Sequence, residues 1–182
     1  MPRTPSSRPV RSLGPRPYLA LLALLAIALA HAQSEPPEWQ TLPLVDARTG
    51  ESFTFADLRG RTVFVEPMAT WCSSCRRQMT VVREVAAQLD PDAFVFVGLS
   101  VETNLDPAAL AAYADAQGFG WTFAVMSPEL LAALVDTFGR SVANPPATPH
   151  LIVRPDGTTT DLATGQHGAA QLLAALTAAA DE

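Results

Sequence analysis

Two hydrophobic patterns alternate along most of the chain. Short apolar runs rich in Val and Phe, over residues 62–66 and 93–100, are typical of buried strands. Apolar side chains every three or four positions over residues 73–89 instead predict a helix. This alternation predicts an α/β layer structure in which helices flank a mixed sheet.

Local signals place the remaining elements. The predicted strands cover residues 40–45, 52–55, 121–125, 150–153 and 158–162, and the further helices cover residues 107–117, 127–138 and 168–179. Asn104 or Asp106 is expected to cap the helix that Gly118 ends. Pro67 should end the pairing of the strand before it, because proline has no N–H to donate. Residues 155–157 (Pro-Asp-Gly) predict a hairpin turn between the last two strands.

The first 32 residues have the pattern of an export signal. Four Arg and no acidic residue precede an uncharged apolar stretch over residues 18–30, which ends at Ala30-His31-Ala32. A membrane span needs about 20 apolar residues, so we expect a cleaved signal peptide and keep an uncleaved membrane anchor as the alternative. The predicted domains are therefore residues 1–32, a short Pro-rich leader over 33–39, and one domain over 40–182. The expected location is periplasmic or otherwise extracytoplasmic.

Composition limits the classes of protein to which this chain can belong. The 182 residues include 12 Arg, no Lys and 18 acidic residues, for a net charge of −6, and 48% of them are hydrophobic. This balance fits one domain with a core and argues against a disordered chain. An acidic chain without a basic stripe also argues against nucleic acid as a partner. The two cysteines are too few for a disulfide-stapled scaffold.

Both cysteines lie in Trp71-Cys72-Ser73-Ser74-Cys75, between a predicted buried strand and a predicted helix. At positions i and i+3 of a helix the two sulfurs share a face and can form a disulfide. Unpaired N–H groups and the helix dipole favour a thiolate at Cys72. Cys75, one turn further, can resolve a mixed disulfide, so the spacing indicates thiol–disulfide exchange.

An inert disulfide or half of a zinc site are the alternatives for this pair. A disulfide that closes two residues constrains the unfolded chain very little, so it would stabilise the fold poorly. A tetrahedral zinc site needs two more ligands, and His150 and His167 do not lie at zinc-finger spacing. We therefore favour redox chemistry as the function of the two cysteines.

The segment from Val63 to Arg76, Val-Phe-Val-Glu-Pro-Met-Ala-Thr-Trp-Cys-Ser-Ser-Cys-Arg, resembles the active-site segment of the thioredoxin superfamily. The strand pair, the export signal and Ala147-Thr148-Pro149 resemble its exported TlpA/ResA-like branch. The resemblance covers about residues 40–180. It implies a thioredoxin-like fold, a mixed central β-sheet flanked by helices with an N-terminal strand pair and an inserted helix–strand.

The resemblance also implies roles for individual residues. Cys72 would be the nucleophile and Cys75 the resolving thiol. Pro149 would be a cis-proline beside the disulfide, and Thr148 would offer backbone hydrogen bonds to a bound client. Glu66 matches the position of a buried acid, whose pKa burial would raise and which could exchange a proton with Cys75.

The sequence also indicates roles for other residues near the motif. Trp71 is expected to pack beside the cysteines and shield them, and also to contact the client. His150 is interpreted as a strand-end histidine and His167 as an exposed cap residue. Pro67-Met68 replaces the Phe-Trp usual in the family, which would put an oxidisable side chain near the thiols.

Three functions remain open on the sequence. The first is an extracytoplasmic protein disulfide reductase without a metal or other cofactor, with apocytochrome c or copper-site proteins as implied clients and a membrane-bound electron donor. The second is a Sco-type copper assembly factor using Cys72, Cys75 and His150 or Met68, although that family has three residues between its cysteines. The third is a peroxiredoxin, whose Pro-x-x-x-Thr-x-x-Cys motif the chain does not match.

Overall fold

A sheet between helices forms the body of the protein, as the hydrophobic pattern predicts. The computed structural model describes residues 35–181, so the predicted signal segment lies outside the described residues. In chain order the elements are α1 (Glu38–Thr41), β1 (Leu44–Val45), β2 (Ser52–Phe53), a 3-10 turn (Phe55–Leu58), β3 (Thr62–Met68), α2 (Ser73–Ala86), β4 (Phe94–Ser100), α3 (Pro107–Gln117), β5 (Thr122–Val125), α4 (Pro128–Phe138), two 3-10 turns (Arg140–Ala143 and Pro145–Ala147), β6 (Leu151–Val153) and α5 (Ala169–Ala180). Within this range, no helix is long and apolar enough to cross a membrane.

The central sheet has the strand order β5–β4–β3–β6. β3 pairs in parallel with β4, and β4 pairs in parallel with β5. β6 pairs antiparallel with the other side of β3, and β1 and β2 form a separate antiparallel pair. The predicted mixed sheet and N-terminal strand pair are thus confirmed. Because β3, β4 and β5 are parallel, the segments that follow them emerge at one edge of the sheet.

Alternation along the strands sends side chains to two apolar layers. One buried cluster includes Trp39, Leu44, Val63, Val65, Val97, Leu99, Leu130 and Leu134. Another includes Phe64, Val82, Val85, Phe96, Ile152, Leu172 and Leu176. α1 and α4 therefore cover one face of the sheet, while α2 and α5 cover the other. Burial of each such side chain contributes about 1.5–3 kcal/mol, so the layer that contains Val82 and Val85 holds α2 firmly on the sheet.

Helix caps match the sequence signals closely. Asp106 accepts a hydrogen bond from the Ala108 N–H at 2.9 Å at the start of α3. Gly118 ends that helix in a left-handed conformation with φ of 67°, which glycine adopts without steric cost. Ser127 accepts from the Leu130 N–H at 3.1 Å to begin α4. The helices predicted around the sheet are confirmed to within a few residues.

Pro67 does not end its strand, which corrects the prediction. The Thr62 N–H donates to Ala93 O and Met68 O accepts from the Val101 N–H, both at 2.9 Å on the β4 side. Backbone groups alternate along a strand, so those of Pro67 face the β6 side. β6 pairs only with residues 63–65 of β3. No strand pairs with Pro67 on that side, so its missing N–H removes no hydrogen bond between strands. β3 therefore continues through Pro67.

Three predicted strands are much shorter or absent. Residues 40 and 41 belong to α1, and β1 contains only Leu44–Val45. Residue 55 begins a 3-10 turn, and β2 contains only Ser52–Phe53. The last predicted strand, residues 158–162, is replaced by two isolated bridges to the β6 segment. There the Ile152 N–H donates to the Thr160 side-chain Oγ1 at 3.0 Å instead of to a backbone carbonyl. This side-chain acceptor interrupts the regular ladder, so no second strand forms.

Candidate active site

The Cys72–Cys75 disulfide lies at the N-terminus of α2. Cys72 is the N-cap residue, and its Sγ accepts a hydrogen bond from the Cys75 N–H at 3.2 Å. The two Cα atoms are 5.4 Å apart, and the sulfurs are bonded to each other. Cys72 is 3% exposed and Cys75 is fully buried. The predicted i, i+3 geometry is therefore present, with the less buried sulfur at the end of the helix, where N–H groups stabilise negative charge.

The 3-10 turn Pro145–Ala147 packs against the first turn of α2. Cys75 Sγ lies 3.2 Å from Pro145 O, so the reduced thiol can donate to that carbonyl. The Ser74 hydroxyl donates to Pro146 O at 3.2 Å and lies 3.3 Å from Cys72 Sγ. Ser74 thus joins the cysteine segment to a loop about 70 residues away in sequence.

The Thr148–Pro149 peptide bond is trans, and the predicted cis-proline is wrong. Thr148 takes a left-handed conformation with φ of 46°, and this residue turns the chain from the 3-10 turn towards β6. The Thr148 N–H donates to Pro145 O at 2.8 Å. Its carbonyl oxygen lies 3.0 Å from His150 Nδ1. Both backbone groups of Thr148 are therefore engaged within the protein, while its predicted contact with a client stays a prediction.

Glu66 is buried beneath the cysteine helix, as the resemblance implied. It is 2% exposed, and alternation along β3 places its side chain on the same face as Phe64 and Met68. Neither carboxylate oxygen has a hydrogen-bond partner among the described residues. Burial raises the pKa of the Glu66 carboxyl well above its ordinary value. A carboxyl with a raised pKa keeps its proton to a higher pH than an exposed carboxyl does.

Met68 and Tyr113 pack around the disulfide. Met68 is fully buried in a cluster with both cysteines and Met79, which confirms a thioether near the thiols. The Tyr113 ring packs against this cluster, and its hydroxyl is buried without a partner among the described residues. Burial raises the pKa of Tyr113, with Arg76 opposing the rise and the charge of Glu66 adding to it. Tyr113 was not among the candidates, although it is the only aromatic residue of α3.

Trp71 projects into solvent, so the predicted shielding of the cysteines is wrong. Its side chain is 65% exposed, although it directly precedes the buried Cys72. The segment turns there, and the Cys72 N–H donates to Ala69 O at 3.0 Å. Trp71 therefore offers an apolar surface beside the disulfide instead of a cover for it.

Glu102 is a site residue that the sequence reasoning missed. Its carboxylate accepts from the Thr70 N–H at 2.7 Å and from the Thr70 hydroxyl at 2.9 Å. Its own N–H donates to the buried Ser100 hydroxyl at 3.2 Å. Glu102 follows β4 at the edge where the segment after β3 also emerges. The carboxyl ends of adjacent parallel strands could have indicated this proximity.

The two C-terminal histidines contact each other. His150 Nε2 and His167 Nδ1 are 3.1 Å apart, and their rings cross nearly at right angles. His167 is half-buried, which corrects its interpretation as an exposed cap residue, because Gly168 is the N-cap of α5. His150 is buried, and its ring nitrogens contact Thr148 O and His167 Nδ1. Residues 35–181 contain no group of three or more His, Cys, Asp or Glu that could hold a metal ion.

The architecture defines a thioredoxin-like domain with a redox disulfide at a helix N-terminus, and solved structures share this fold. A thiol:disulfide interchange protein of the thioredoxin family from Chlorobium tepidum has a TM-score of 0.63 and 22% identity, with 81% of this chain and 99% of that chain covered. A secreted Mycobacterium tuberculosis disulfide oxidoreductase homologous to E. coli DsbE has a TM-score of 0.58 and 21% identity, with 78% of this chain and 98% of that chain covered. A thiol-disulfide isomerase from Corynebacterium glutamicum has a TM-score of 0.63 and 18% identity, with 82% of this chain and 97% of that chain covered.

A family model also matches the chain. The model of the AhpC/TSA family matches residues 37–157, which span β1 to β6 and both cysteines. The protein therefore belongs to the AhpC/TSA family, and the predicted thioredoxin-like fold is confirmed.

Proposed function

We propose that this protein is an extracytoplasmic thiol–disulfide oxidoreductase that reduces disulfides in exported proteins. The observation that carries the proposal is the position of the Cys72–Cys75 pair. Cys72 Sγ accepts the Cys75 N–H at 3.2 Å at the start of α2. The same contact stabilises a thiolate at Cys72 once the disulfide is reduced. Helix geometry therefore favours a nucleophile at Cys72 with a resolving thiol one turn behind it.

The reaction consists of two exchanges. The Cys72 thiolate attacks one sulfur of a client disulfide, forms a mixed disulfide and expels the other client sulfur as a thiolate. Cys75 then loses its proton and attacks Cys72 Sγ, which forms the Cys72–Cys75 disulfide and releases the client as a dithiol. Glu66, buried without a hydrogen-bond partner among the described residues, is the proposed acceptor of the Cys75 proton.

Regeneration requires two electrons from outside the chain. We assign this step to a membrane-bound electron donor, because the family resemblance implies one for exported members. The implied clients are apocytochrome c or copper-site proteins. The exposed Trp71 supports contact with a protein client, since an apolar side chain beside the disulfide can cover the reacting segment of a partner.

The location rests on the N-terminal sequence. Four Arg, an uncharged apolar stretch and Ala30-His31-Ala32 form the pattern of an export signal. One structure with the same fold is described as that of a secreted disulfide oxidoreductase, which supports the same location.

Insulin reduction tests the activity directly. Purified protein with dithiothreitol as the electron source should accelerate precipitation of the insulin B chain. Cys72→Ser should abolish this acceleration, whereas Cys75→Ser should trap a mixed disulfide that a mass measurement detects. Peroxide consumption without insulin reduction would contradict the proposal and favour a peroxidase. Insulin reduction that survives in Cys72→Ser would contradict the assigned nucleophile.

A further inference from the structure

A chain of hydrogen bonds connects the cysteine helix to the loop that contains Pro149. It begins at Gln78, which is buried on α2 one turn after Cys75. Gln78 Oε1 accepts from the His167 N–H at 2.8 Å, and Gln78 Nε2 donates to His167 O at 3.4 Å. An amide side chain thus holds both backbone groups of a residue 89 positions later. The position of His167 is consequently fixed to α2.

Hydrogen-bond chemistry determines which nitrogen atoms carry protons along the rest of this chain of hydrogen bonds. Thr148 O only accepts, so His150 Nδ1, 3.0 Å away, carries a proton. In the neutral ring Nε2 is then an acceptor, and the His167 Nδ1 at 3.1 Å donates to it. Both histidines are therefore Nδ1–H tautomers, and the chain runs in one direction from His167 to the Thr148 carbonyl.

The far end of this chain reaches the disulfide. Thr148 N–H and Cys75 Sγ both approach the same Pro145 carbonyl oxygen, at 2.8 Å and 3.2 Å. Pro149 is buried between Thr148 and His150. We propose that His150 and His167 are positioning residues for disulfide exchange, which hold residues 148 and 149 against α2 beside the disulfide. The inference rests on the proposed exchange at Cys72–Cys75.

The surroundings of the two rings determine how protons affect the chain. The His150 ring packs against Phe64 of β3, and Leu172 of α5 lines the cavity that both histidines border. The buried Glu66, on the same face of β3 as Phe64, is the titratable group of that strand. Of the described residues that line the adjoining cavity of about 470 Å³, Arg154 and Asp161 carry charge.

A proton at His150 Nε2 breaks that bond, because two N–H groups then face each other. Burial lowers the pKa of His150, with the Thr148 carbonyl opposing and His167 adding to the decrease. The chain of hydrogen bonds therefore persists at neutral pH and breaks as the solution becomes more acidic than the ordinary His range.

Two variants at one position separate positioning from mere packing. His167→Asn keeps a side-chain N–H near the Nδ1 position and can turn its amide oxygen towards a protonated His150. His167→Ala removes the bond. At about pH 8, His167→Ala should reduce insulin on the order of tenfold more slowly than wild type, because small misplacements of reacting groups cost up to about 100-fold. His167→Asn should stay within about twofold of wild type.

The pH profile supplies the second measurement. The ratio of the wild-type rate to the His167→Asn rate should fall as the pH is lowered below the ordinary His range, since only in wild type does protonation of His150 break the His167–His150 hydrogen bond. Taking the ratio cancels the pH dependence of the thiols themselves. A constant ratio, or a His167→Ala rate equal to that of wild type, would overturn the inference.

The tautomers can be measured without any activity. Nitrogen NMR of the unmodified protein at about pH 8 should show the Nδ1–H form for both His150 and His167. The Nε2–H form at His150 would overturn the inference even if a variant failed to fold. If wild type does not reduce insulin but shows both Nδ1–H tautomers, the proposed function fails and the hydrogen-bond chain stands.

Discussion

The Glu102 carboxylate holds Thr70 by its backbone N–H at 2.7 Å and by its hydroxyl at 2.9 Å. Thr70 lies two residues before Cys72, so this pair joins the end of β4 to the segment that enters the active site. Hydrogen bonds to a charged acceptor are stronger than neutral ones. The contact places a negative charge on the same edge of the sheet as the disulfide.

Two substitutions at Glu102 distinguish the effect of its hydrogen bonds on stability from the effect of its charge on Cys72. Glu102→Gln keeps an oxygen for the Thr70 N–H and should cost less than about 1 kcal/mol of unfolding free energy. Glu102→Ala removes the acceptor and should cost about 2 kcal/mol. Both remove a negative charge, so in both the alkylation rate of reduced Cys72 should reach half its maximum at a lower pH. Denaturant unfolding and iodoacetamide kinetics measure the two effects. Equal stability losses in the two variants would contradict the contact.

Glu66 should make the stability of the protein depend on pH. Its pKa is raised by burial, so the native state keeps this proton to a higher pH than the unfolded chain does. The contribution of Glu66 is therefore fully present below its unfolded pKa and is lost as pH rises through the native pKa. Glu66→Gln cannot ionise. The free energy of unfolding of Glu66→Gln minus that of wild type should thus be larger at about pH 8 than at about pH 4, which means that the variant gains stability relative to wild type as pH rises.

Denaturant titrations at the two pH values check this sign. The comparison between variant and wild type removes the opposite trend expected from His150, whose lowered pKa makes stability decrease as pH falls. An identical difference between Glu66→Gln and wild type at both pH values would show that Glu66 does not change its proton affinity on folding.

Trp71 should matter for protein clients and little for folding. Its side chain is 65% exposed, so Trp71→Ala should change the unfolding free energy by no more than about 0.5 kcal/mol. Insulin reduction should slow, while exchange with oxidised glutathione should remain close to wild type. Val45→Ala is the control, because Val45 is the other exposed large hydrophobic residue among those described, at 43%. Equal insulin rates for Trp71→Ala and Val45→Ala would count against a client contact.

The export signal makes a prediction about the mature chain. Cleavage after Ala32 should give a protein that begins at Gln33 when the full sequence is expressed in a bacterium. Intact mass and N-terminal sequencing of the extracytoplasmic fraction measure this. A chain that retains residues 1–32 and is recovered with membranes would support the anchor instead, and a chain retained in the cytoplasm would contradict export.

Sequence patterns predicted elements whose signals are contained within a few residues. The Val and Phe run of β4, the Asp106 cap and Gly118 all act locally, so their outcome did not depend on the rest of the fold. The Cys72–Cys75 spacing is local in the same sense. Its disulfide follows from one helical turn placed after a buried strand.

Features that depend on distant partners could not be predicted in this way. Pro67 stays in β3 because β6 stops pairing before it, and β6 lies more than 80 residues later. His167 is ordered by Gln78, 89 positions away. Thr148 makes its turn with a left-handed backbone and a trans peptide, whereas the resemblance implied a cis one. Each of these outcomes is decided by packing between remote segments.

The reduction potential of the Cys72–Cys75 pair tests the central claim most directly. The protein is equilibrated in glutathione or dithiothreitol buffers, and the reduced fraction is measured by alkylation and mass, with Cys75→Ser as the control that cannot form the disulfide. A reductase should have a potential near or below about −220 mV, in the range of glutaredoxins and thioredoxin. A value near about −120 mV would identify an oxidant and contradict the proposed direction, and the absence of a reversible transition would contradict redox function altogether.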